Sequence, residues 1–363
     1  MKLLSQVEVS DKRVFLRADL DVPLREAQVT SDKLQVTSQE SSRLQNLKPT
    51  VDWLLEHGAS QIIIAGHVDR PKGPNSSLST KNLLEPLEKI LGQKIVFLKQ
   101  STVYSLPSTA VVSSRKAVDR VFLLENLRFW PGEVANDSNF AQKLASMTDK
   151  YVNEAFGNSH RTHASMVTLP SLLPHAAGLH LEKEVEVLSK LLDNPQHPFI
   201  AIVGGAKLET KIPVIENLSK IADFVLVGGR IAKEYSQTTD YGLQTTAVDS
   251  RQSTVDKIVV ATSDTKDIDQ KSINQFKSVI STAKTIVWNG PMGVFEEGFE
   301  AGTLAVAQAV IDSGAYSVIG GGETTEFLAS KGLLSKFSFV SSGGGAMLEF
   351  LSGKKLPGLV ALE

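Results

Sequence analysis

Short apolar runs alternate with longer segments of helical periodicity along this chain. In the first half the apolar runs span residues 13–17, 61–65, 94–98, 120–124 and 150–153. The amphipathic stretches between them span residues 47–57, 80–91 and 138–147. A regular alternation of strands and helices predicts parallel sheets with helices packed on both faces, which is the α/β fold class.

The second half repeats this alternation, and its apolar runs end in glycine-rich turns. These turns contain Gly204-Gly205, Gly228-Gly229, Asn289-Gly290-Pro291, Gly320-Gly321-Gly322 and Gly343-Gly344-Gly345. Each turn presents backbone N–H groups at the carboxyl edge of a parallel sheet, where α/β proteins bind ligands and often phosphates. Five such turns in one half of the chain predict a platform for nucleotide phosphates.

The chain has 363 residues, which is long enough for two domains. A helix predicted over residues 179–193 has one apolar face, formed by Leu181, Val185, Leu188 and Leu192. From periodicity alone two interpretations stay open: a core helix of one domain, or a helix that joins two α/β domains. Residues 236–254 are rich in Ser, Thr, Gln and Asp and predict a surface loop.

Composition narrows the class of protein. An apolar share of 42% and a charged share of 21% fit a globular protein, and the net charge of −2 argues against a nucleic-acid partner. There is no cysteine for a disulfide, a thiolate zinc site or a thiol nucleophile. The first residues reach Gln6 and Glu8 too soon for a signal peptide, and no apolar run approaches the ~20 residues of a membrane span. We therefore expect a cytoplasmic protein with no membrane partner.

Charged side chains follow the apolar runs of the first half. Arg17, Asp19 and Asp21 close the first run, His67, Asp69 and Arg70 follow the second, and Arg128 and Arg161 follow the fourth and fifth. In a parallel sheet these residues share one edge, where arginine forks suit a small ligand carrying carboxylate and phosphate. For any single arginine an ordinary surface ion pair is the better interpretation, but four strand ends with arginine favour a site. His160 and His163 have a spacing that zinc can use, yet we favour them as polar edge residues.

Two lysines, Lys207 and Lys211, follow Gly204-Gly205. If a helix starts near Ala206, they lie one turn apart at its positive end and can neutralise a polyphosphate. For one lysine alone, a solvated helix residue is the better interpretation. The chain contains no Walker loop and no dinucleotide fingerprint, so a dehydrogenase is set aside. An anion-binding edge, a nucleotide-like edge and a bridging helix together suit phosphoryl transfer, which depends on positioning and charge stabilisation.

The residues closely resemble the phosphoglycerate kinase family. The resemblance runs from residues 11–24 to residues 353–358 and includes the motifs Leu123-Leu-Glu-Asn-Leu-Arg-Phe129, Gly204-Gly-Ala-Lys207, Trp288-Asn-Gly-Pro-Met-Gly-Val-Phe-Glu296 and Ser342-Gly-Gly-Gly-Ala346. It implies two Rossmann-like three-layer domains with parallel sheets, joined by a helix and hinge. Residues 1–175 form the 3-phosphoglycerate domain, residues 176–194 the connecting helix and residues 195–345 the nucleotide domain. Residues 346–363 return to the N-terminal domain.

The resemblance also implies an activity. Members transfer a phosphoryl group reversibly from 1,3-bisphosphoglycerate to ADP, giving 3-phosphoglycerate and ATP in glycolysis. The nucleotide is bound with Mg²⁺, the two domains close about the hinge, and a monomer is expected.

Individual positions inherit roles from the resemblance. Asp19 and Asp21 face the glycerate, and His67, Arg70, Arg128 and Arg161 bind its phosphate and neighbouring groups. Arg43 reaches the transferring phosphoryl group, and Lys207 follows that group. The implied nucleotide residues are Gly205, Lys211, Gly229, Asn289, Glu296, Gly321, Gly322, Glu323 and Thr324. Among them Glu296 lies by the ribose, and Glu323 serves the Mg²⁺-nucleotide.

Five positions depart from the family pattern. The family usually has Asp at Glu323, Asn at Asp21, and Gly at Arg230, Asp269 and Asp69. One extra methylene at Glu323 changes the reach of a Mg²⁺ ligand, which demands near-octahedral geometry. Two alternatives therefore stay open: a kinase with altered nucleotide or metal preference, and a non-catalytic relative that binds 3-phosphoglycerate.

Overall fold

The structure, a computed structural model, describes residues 1–22, 40–100, 120–238, 257–262 and 266–363. These residues divide into two compact units. Unit 1 consists of Met1–Val185 with Lys355–Glu363, and unit 2 consists of Glu186–Lys354. Most of the loop predicted over residues 236–254 lies outside the described residues, and its first three residues belong to a helix.

Unit 1 is built on a six-stranded sheet. Its strands are β1 (Arg13–Arg17), β2 (Gln61–Ala65), β3 (Ile95–Leu98), β4 (Val121–Leu124), β5 (Lys150–Asn153) and β6 (His175–Ala177). They lie in the order β3-β4-β2-β1-β5-β6, and every neighbouring pair is parallel. Consecutive residues such as Ile62, Ile63 and Ile64 are all buried, because both faces of a parallel sheet are covered.

The helices of unit 1 follow its strands. They are α1 (Glu40–Gln45), α2 (Lys48–Glu56), α3 (Leu84–Leu91), α4 (Pro131–Val134), α5 (Ser138–Ser146) and α6 (Leu169–Leu172). Short 3₁₀ turns at Leu127–Phe129 and Phe156–Asn158 follow β4 and β5 directly. The connections after the strands are therefore compact and hold their side chains close to the sheet edge.

Unit 2 repeats the architecture. Its strands are β7 (Phe199–Val203), β8 (Phe224–Val227), β9 (Ile258–Val260), β10 (Thr285–Asn289), β11 (Tyr316–Gly320) and β12 (Phe339–Val340), in the order β12-β11-β10-β7-β8-β9 and all parallel. Helix α7 (Leu179–Asp193) continues from unit 1 into unit 2. The later helices are α8 (Leu208–Leu218), α9 (Ile231–Thr238), α10 (Gln270–Ile280), α11 (Ala301–Ser313), α12 (Gly322–Ser330) and α13 (Gly344–Leu351).

The last helix, α14 (Pro357–Val360), belongs to unit 1. The N–H of Gly358 donates to the carbonyl of Ser159 at 2.8 Å, and the N–H of Lys2 donates to the carbonyl of Leu362 at 3.3 Å. These backbone hydrogen bonds attach the end of the chain to both the start of the chain and the turn after β5.

The predicted fold class, two α/β units with parallel sheets, is confirmed. Strands β1, β2 and β5 have the predicted bounds, and so does helix α7. Strands β6 and β9 were not predicted. Among the described helices, none combines the length and the apolar character that crossing a membrane requires.

Candidate active site

Unit 1 gathers polar and charged side chains in a group here called the charged edge. Arg43 of helix α1 joins residues that follow the strands: Asp19, Asp21, His67, Arg70, Arg128 and Arg161. Strands β4, β2, β1 and β5 are parallel neighbours in that order, so the segments that follow them emerge side by side. Asp19 is buried and accepts a hydrogen bond from Asn158 Nδ2 at 3.3 Å, which joins the ends of β1 and β5.

Asp21 lies at the centre of the charged edge. Its Oδ1 accepts a hydrogen bond from the N–H of Asp69 at 2.8 Å, and its Oδ2 lies 3.6 Å from His67 Nε2. Its backbone carbonyl accepts a hydrogen bond from Arg43 Nη1 at 2.8 Å. Burial alone would raise the pKa of Asp21, but the hydrogen bonds from His67 and Asp69 and the charge of Arg43 lower it far below its usual range. Asp21 is therefore a carboxylate.

Asp69 adopts a left-handed backbone conformation, with φ of 53°. This conformation explains why glycine suits the position, and aspartate is among the residues that tolerate it. The turn aims the Asp69 N–H at Asp21 and its carbonyl at Arg128, whose Nη1 donates to it at 2.6 Å. The departures at Asp21 and Asp69 thus form one connected arrangement.

The arginines of the charged edge share one region of positive potential. Burial lowers the pKa of Arg128, and the neighbouring charges of Arg17, Arg161 and Arg70 lower it further, while Asp21 opposes them. Arg70 is exposed, and Arg128 and Arg161 are partly exposed. The geometry therefore brings together Arg70, Arg128 and Arg161, which the sequence predicted at separate strand ends, and it leaves these three cations accessible to an anion.

The sequence placed Arg17 among the arginines of a ligand-binding edge, but the structure buries it behind that edge together with Ser165 and Glu133, which were not predicted. Arg17 and Ser165 are fully buried, and Arg17 Nε donates to Ser165 Oγ at 2.9 Å. Ser165 Oγ donates to Glu133 Oε1 at 2.6 Å, and burial raises the pKa of Glu133. An arginine at the end of an apolar strand was the readable signal, because a charge there needs a buried partner.

His163 remains uncharged in this region. Burial lowers the pKa of His163 to about 3, and the charge of Arg128 acts in the same direction. His163 Nδ1 lies 3.8 Å from Glu133 Oε1. Across the described residues, no three His, Asp or Glu side chains come together as a metal site would require.

Unit 2 presents a different edge, here called the glycine edge: Gly204, Gly205, Gly229, Gly290, Gly321 and Gly322 after strands β7, β8, β10 and β11. Gly290 has φ of 102°, and a Cβ there would lie 2.1 Å from the carbonyl oxygen of Gly204. The N–H groups of Gly204 and Gly205 donate to the carbonyls of Asn289 and Pro291, both at 2.9 Å. The turns after β7 and β10 therefore pack backbone against backbone.

The two lysines of the glycine edge differ in environment. Helix α8 begins at Leu208, two residues after the predicted start, so Lys207 is the N-cap residue and is exposed. Lys211 is buried, and its Nζ donates to Asn289 Oδ1 at 2.5 Å. Burial lowers the pKa of Lys211 to about 8, against the opposing charge of Glu323. Lys207 is thus free to follow a ligand, while Lys211 is fixed beside the sheet.

The start of helix α12 carries a single exposed carboxylate, Glu323, in its first turn. Thr324 is buried, and its Oγ1 accepts a hydrogen bond from the N–H of Gly290 at 2.9 Å, so it braces the turn after β10. Glu296 is exposed in a 3₁₀ turn at Phe295–Glu297. One exposed carboxylate beside a lysine fits Mg²⁺ that is carried largely by phosphate oxygens and water.

Two departures from the family pattern receive different explanations. Asp269 is the N-cap of helix α10, where its Oδ1 accepts a hydrogen bond from the N–H of Ser272 at 2.7 Å. Its carboxylate stabilises the helix start. Arg230 is exposed and precedes helix α9 directly. Arg230 therefore remains accessible beside Gly229, and Asp269 does not require a ligand to explain it.

The fold and the two edges define a class of two-unit α/β proteins that hold anionic ligands at the carboxyl ends of parallel strands. Comparison with known proteins makes the class specific. The family profile described as phosphoglycerate kinase matches residues 4–266 and 245–354. The chain therefore belongs to the phosphoglycerate kinase family, whose members are phosphotransferases with a carboxyl group as acceptor.

Individual relatives cover the whole chain. A phosphoglycerate kinase of Solibacter usitatus (strain Ellin6076) is 39% identical over 402 residues, covering 99% of this chain and 98% of that protein. A phosphoglycerate kinase of Finegoldia magna is 36% identical, and the alignment covers 100% of this chain and 99% of that protein. The solved structure of phosphoglycerate kinase from Coxiella burnetii superposes with a TM-score of 0.78 at 31% identity, covering 99% and 98%. The solved structure of phosphoglycerate kinase from Pyrococcus horikoshii OT3 superposes with a TM-score of 0.80 at 28% identity, covering 100% of this chain and 98% of that one.

Proposed function

We propose that this protein transfers a phosphoryl group reversibly from 1,3-bisphosphoglycerate to ADP, giving 3-phosphoglycerate and ATP. The observation that carries the proposal is the charged edge, where accessible guanidinium groups surround the fixed Asp21–Asp69 turn. Planar guanidinium forks match both the carboxylate and the phosphate of the glycerate ligand. Family membership over nearly the whole chain supports the same reaction.

In this proposal unit 1 is the substrate domain. Its substrate-binding residues are Asp19, Asp21, Arg43, His67, Arg70, Arg128 and Arg161. Arg43 and Lys207 are the catalytic residues, because their charges stabilise the negative charge of the phosphoryl group in transfer. The exposure of Lys207 at a helix start supports its role, since a side chain that follows a moving group needs freedom to reorient.

Unit 2 is the nucleotide domain in this proposal. Gly205, Lys211, Gly229, Asn289, Glu296, Gly321, Gly322, Glu323 and Thr324 form its nucleotide-binding set. Glu323 would hold the Mg²⁺ of the nucleotide, and that cation supplies charge neutralisation for the phosphates. Lys211 would do the same from a fixed position, and Thr324 would act by bracing the Gly290 turn.

The transfer is direct and needs no covalent intermediate on the protein. A β-phosphate oxygen of ADP forms a bond to the acyl phosphorus, and the bond from that phosphorus to the carboxyl oxygen breaks. The bonding electrons remain on the carboxylate of 3-phosphoglycerate. This chemistry needs no general base, so the cations act by positioning and charge stabilisation.

Two other functions share part of these features. A changed nucleotide or metal preference is motivated by Arg230 beside Gly229 and by the longer Glu323 side chain. Rates compared across ADP, GDP, Mg²⁺ and Mn²⁺ test it, and a plain preference for ADP with Mg²⁺ removes it.

A non-catalytic 3-phosphoglycerate binder would have no use for Lys207 and Lys211 together. Calorimetric titration that shows binding of 3-phosphoglycerate but not of ADP would favour it.

The decisive experiment is a coupled assay of ATP formation from 1,3-bisphosphoglycerate and ADP. We expect turnover that depends on both substrates and on Mg²⁺, and absence of turnover by the folded protein would refute the proposal.

We further propose that the protein is a cytoplasmic monomer. Sedimentation tests the oligomeric state, and cell fractionation tests the location. The proposed domain bounds, residues 1–175 and 195–345 around the helix at 176–194 with residues 346–363 returning, are testable by limited proteolysis.

A further inference from the structure

Arg17 contacts the ring of His67 from inside the protein. Its Nη2 lies 3.2 Å from His67 Nδ1, and both side chains are buried. Every nitrogen of a guanidinium group is a donor and none is an acceptor. The contact is therefore a hydrogen bond only if His67 Nδ1 is unprotonated, so that its lone pair can accept.

The opposite nitrogen of the ring points toward the charged edge. His67 Nε2 lies 3.6 Å from Asp21 Oδ2. With Nδ1 accepting, the proton of a neutral ring is on Nε2. His67 then presents an N–H donor at the charged edge, where Asp21 and an incoming anionic ligand are the available acceptors.

Arg17 is itself held by a directional set of hydrogen bonds. Nη1 donates to the carbonyl of Ala18 at 2.5 Å, and Nε donates to Ser165 Oγ at 2.9 Å. Because Ser165 Oγ accepts from Arg17, its proton is available to donate to Glu133 Oε1 at 2.6 Å. Arg17 is therefore the donor on both sides: it donates to His67 Nδ1 on one side and to Ser165 Oγ on the other, and Ser165 Oγ donates in turn to the carboxyl group of Glu133.

We propose that Arg17 is a positioning residue that fixes His67 as a neutral imidazole with its proton on Nε2. The charged edge therefore keeps a constant hydrogen-bond donor at this point, independent of solution pH in the physiological range. Arg17 acts through His67 and needs no contact with the substrate. This role for His67 toward substrate rests on the proposed function, whereas its tautomer does not.

The charges around His67 agree with this arrangement. The groups that face it are Asp21, Arg17, Arg128 and His163. Burial lowers the pKa of His67, the charges of Arg17 and Arg128 lower it further, and Asp21 opposes them. A proton on Nδ1 would also have to displace the Arg17 guanidinium, so an imidazolium is disfavoured by both charge and geometry.

The unmodified protein tests the tautomer directly. Long-range ¹H–¹⁵N correlation spectra of the full chain distinguish a ring nitrogen with a lone pair from one with a proton. We expect a single neutral species, with Nδ1 unprotonated, from about pH 6 to pH 8, where an ordinary histidine changes charge. A proton on Nδ1, or an imidazolium at pH 7, overturns the proposal even if the enzyme is fully active.

Substitution tests the assignment to Arg17. We expect Arg17→Met to let His67 sample both tautomers and titrate closer to its ordinary pKa. The KM for 3-phosphoglycerate should rise about tenfold while kcat changes by less than about twofold, because a positioned donor is lost from binding. Arg13→Met is the matched control, since Arg13 lies at the other end of β1 and pairs with Asp149. An unchanged His67 spectrum in folded Arg17→Met overturns the proposal.

Loss of Arg17 leaves Glu133 buried without its neighbouring cation, so Arg17→Met is accompanied by the double variant Arg17→Met/Glu133→Gln. The double variant removes the uncompensated carboxyl group and should recover folding without restoring the single tautomer. If it restores the single tautomer, Glu133 rather than Arg17 controls His67 and the assignment is wrong. Inactivity of the unmodified enzyme would instead refute the proposed function and leave the tautomer result intact.

Discussion

The charged edge of unit 1 and the glycine edge of unit 2 occupy equivalent ends of two parallel sheets, yet they are built from different groups. At the charged edge, side chains are held by hydrogen bonds to a strained turn, as Arg128 and Asp21 are held by Asp69. At the glycine edge, backbone approaches backbone, and Lys207 and Glu323 are exposed at helix starts. The charged edge is formed by positioned side chains, and the glycine edge by closely packed backbone.

The difference has an electrostatic consequence. Burial is the main cause of the lowered pKa of Arg128, repulsion from the neighbouring guanidinium groups adds to it, and the charge of Asp21 offsets part of that repulsion. Such a cluster attracts anions before contact. The glycine edge fixes Lys211 against Asn289, and the N–H groups of Gly204, Gly205 and Gly290 donate to acceptors within the protein. We therefore expect substitutions at the first edge mainly to change the affinity for 3-phosphoglycerate, and substitutions at the second to change catalysis, nucleotide affinity or stability.

The largest effect is expected at Lys207. Lys207→Ala should lower kcat by about 10³-fold, because the cation that stabilises the transferring group is lost. Folding should be unchanged, since Lys207 is exposed and makes no side-chain cap for helix α8. Lys220→Ala, at another exposed lysine of unit 2, is the control and should keep full activity. Steady-state rates that differ by less than about tenfold between the two variants would remove Lys207 from catalysis.

The second largest effect is expected from Gly290→Ala, which tests whether the glycine edge depends on close approach of two backbone segments. Gly290→Ala places a Cβ 2.1 Å from the carbonyl oxygen of Gly204 at φ of 102° and should cost more than about 3 kcal/mol of unit 2 stability. Gly314 also has a positive φ, a smaller one of 65°, and Gly314→Ala has open space around the new methyl group. It should cost only about 1 kcal/mol.

Native-state hydrogen exchange of the β10 amides measures both variants within unit 2. Equal losses of opening free energy in Gly290→Ala and Gly314→Ala would show that backbone conformation alone matters, and that packing against Gly204 does not. A larger loss in Gly290→Ala, as expected, supports the difference drawn between the two edges.

Much of the fold was readable because the strands of a parallel sheet are continuous apolar runs. Val14, Phe15 and Leu16 of β1 are all buried, and the run was visible in the sequence. Strand β6 has three residues, His175–Ala177, of which two are alanines. It exists because it pairs with β5, and nothing local distinguishes it from a loop. Strand β9 is equally short, so its β-branched residues alone did not define it.

The site could also be predicted only in part. Strand direction placed His67 and Arg128 at one edge, but it did not show which atoms contact each other there. Arg17 and Ser165 are 148 residues apart in the chain, so their hydrogen bond follows only from the folded structure. Asp269 shows the opposite case. Asp269 caps helix α10 by accepting a hydrogen bond from the N–H of Ser272, which lies three residues along the chain. The sequence prediction connected Asp269 with nucleotide preference instead.

A third experiment sharpens the contrast in affinity. Arg128→Met should raise the KM for 3-phosphoglycerate about thirtyfold with a smaller change in kcat, because a charge-assisted contact is lost from binding. Arg128→Lys should recover part of the affinity, since it keeps the charge without the fork. Lys89→Met removes an exposed charge from helix α3 of the same unit and should leave KM unchanged. Initial rates with varied 3-phosphoglycerate decide, and a KM within about threefold of the parent contradicts the proposed role.

The smallest effect concerns the pH dependence that Lys211 gives to the glycine edge. Its pKa of about 8 lies below the ordinary 10.5 because of burial, so the unfolded chain holds more protons between these values. The free energy of unfolding should therefore rise with pH across this interval. Nucleotide phosphates favour the charged lysine, so ADP binding above pH 8 should take up a proton.

The affinity for ADP should fall as pH rises above 8, by at most about tenfold per pH unit. Calorimetry in two buffers of different ionisation enthalpy measures both the affinity and the proton uptake. In Lys211→Met we expect weaker binding at pH 7.5, no proton uptake, and loss of the rise in unfolding free energy between pH 8 and pH 10. Lys207→Ala is the control and should retain the proton uptake, since only Lys211 is fixed in a buried position beside Asn289. A parent protein whose ADP affinity does not change from pH 7.5 to pH 9 would show that Lys211 does not bind nucleotide phosphates.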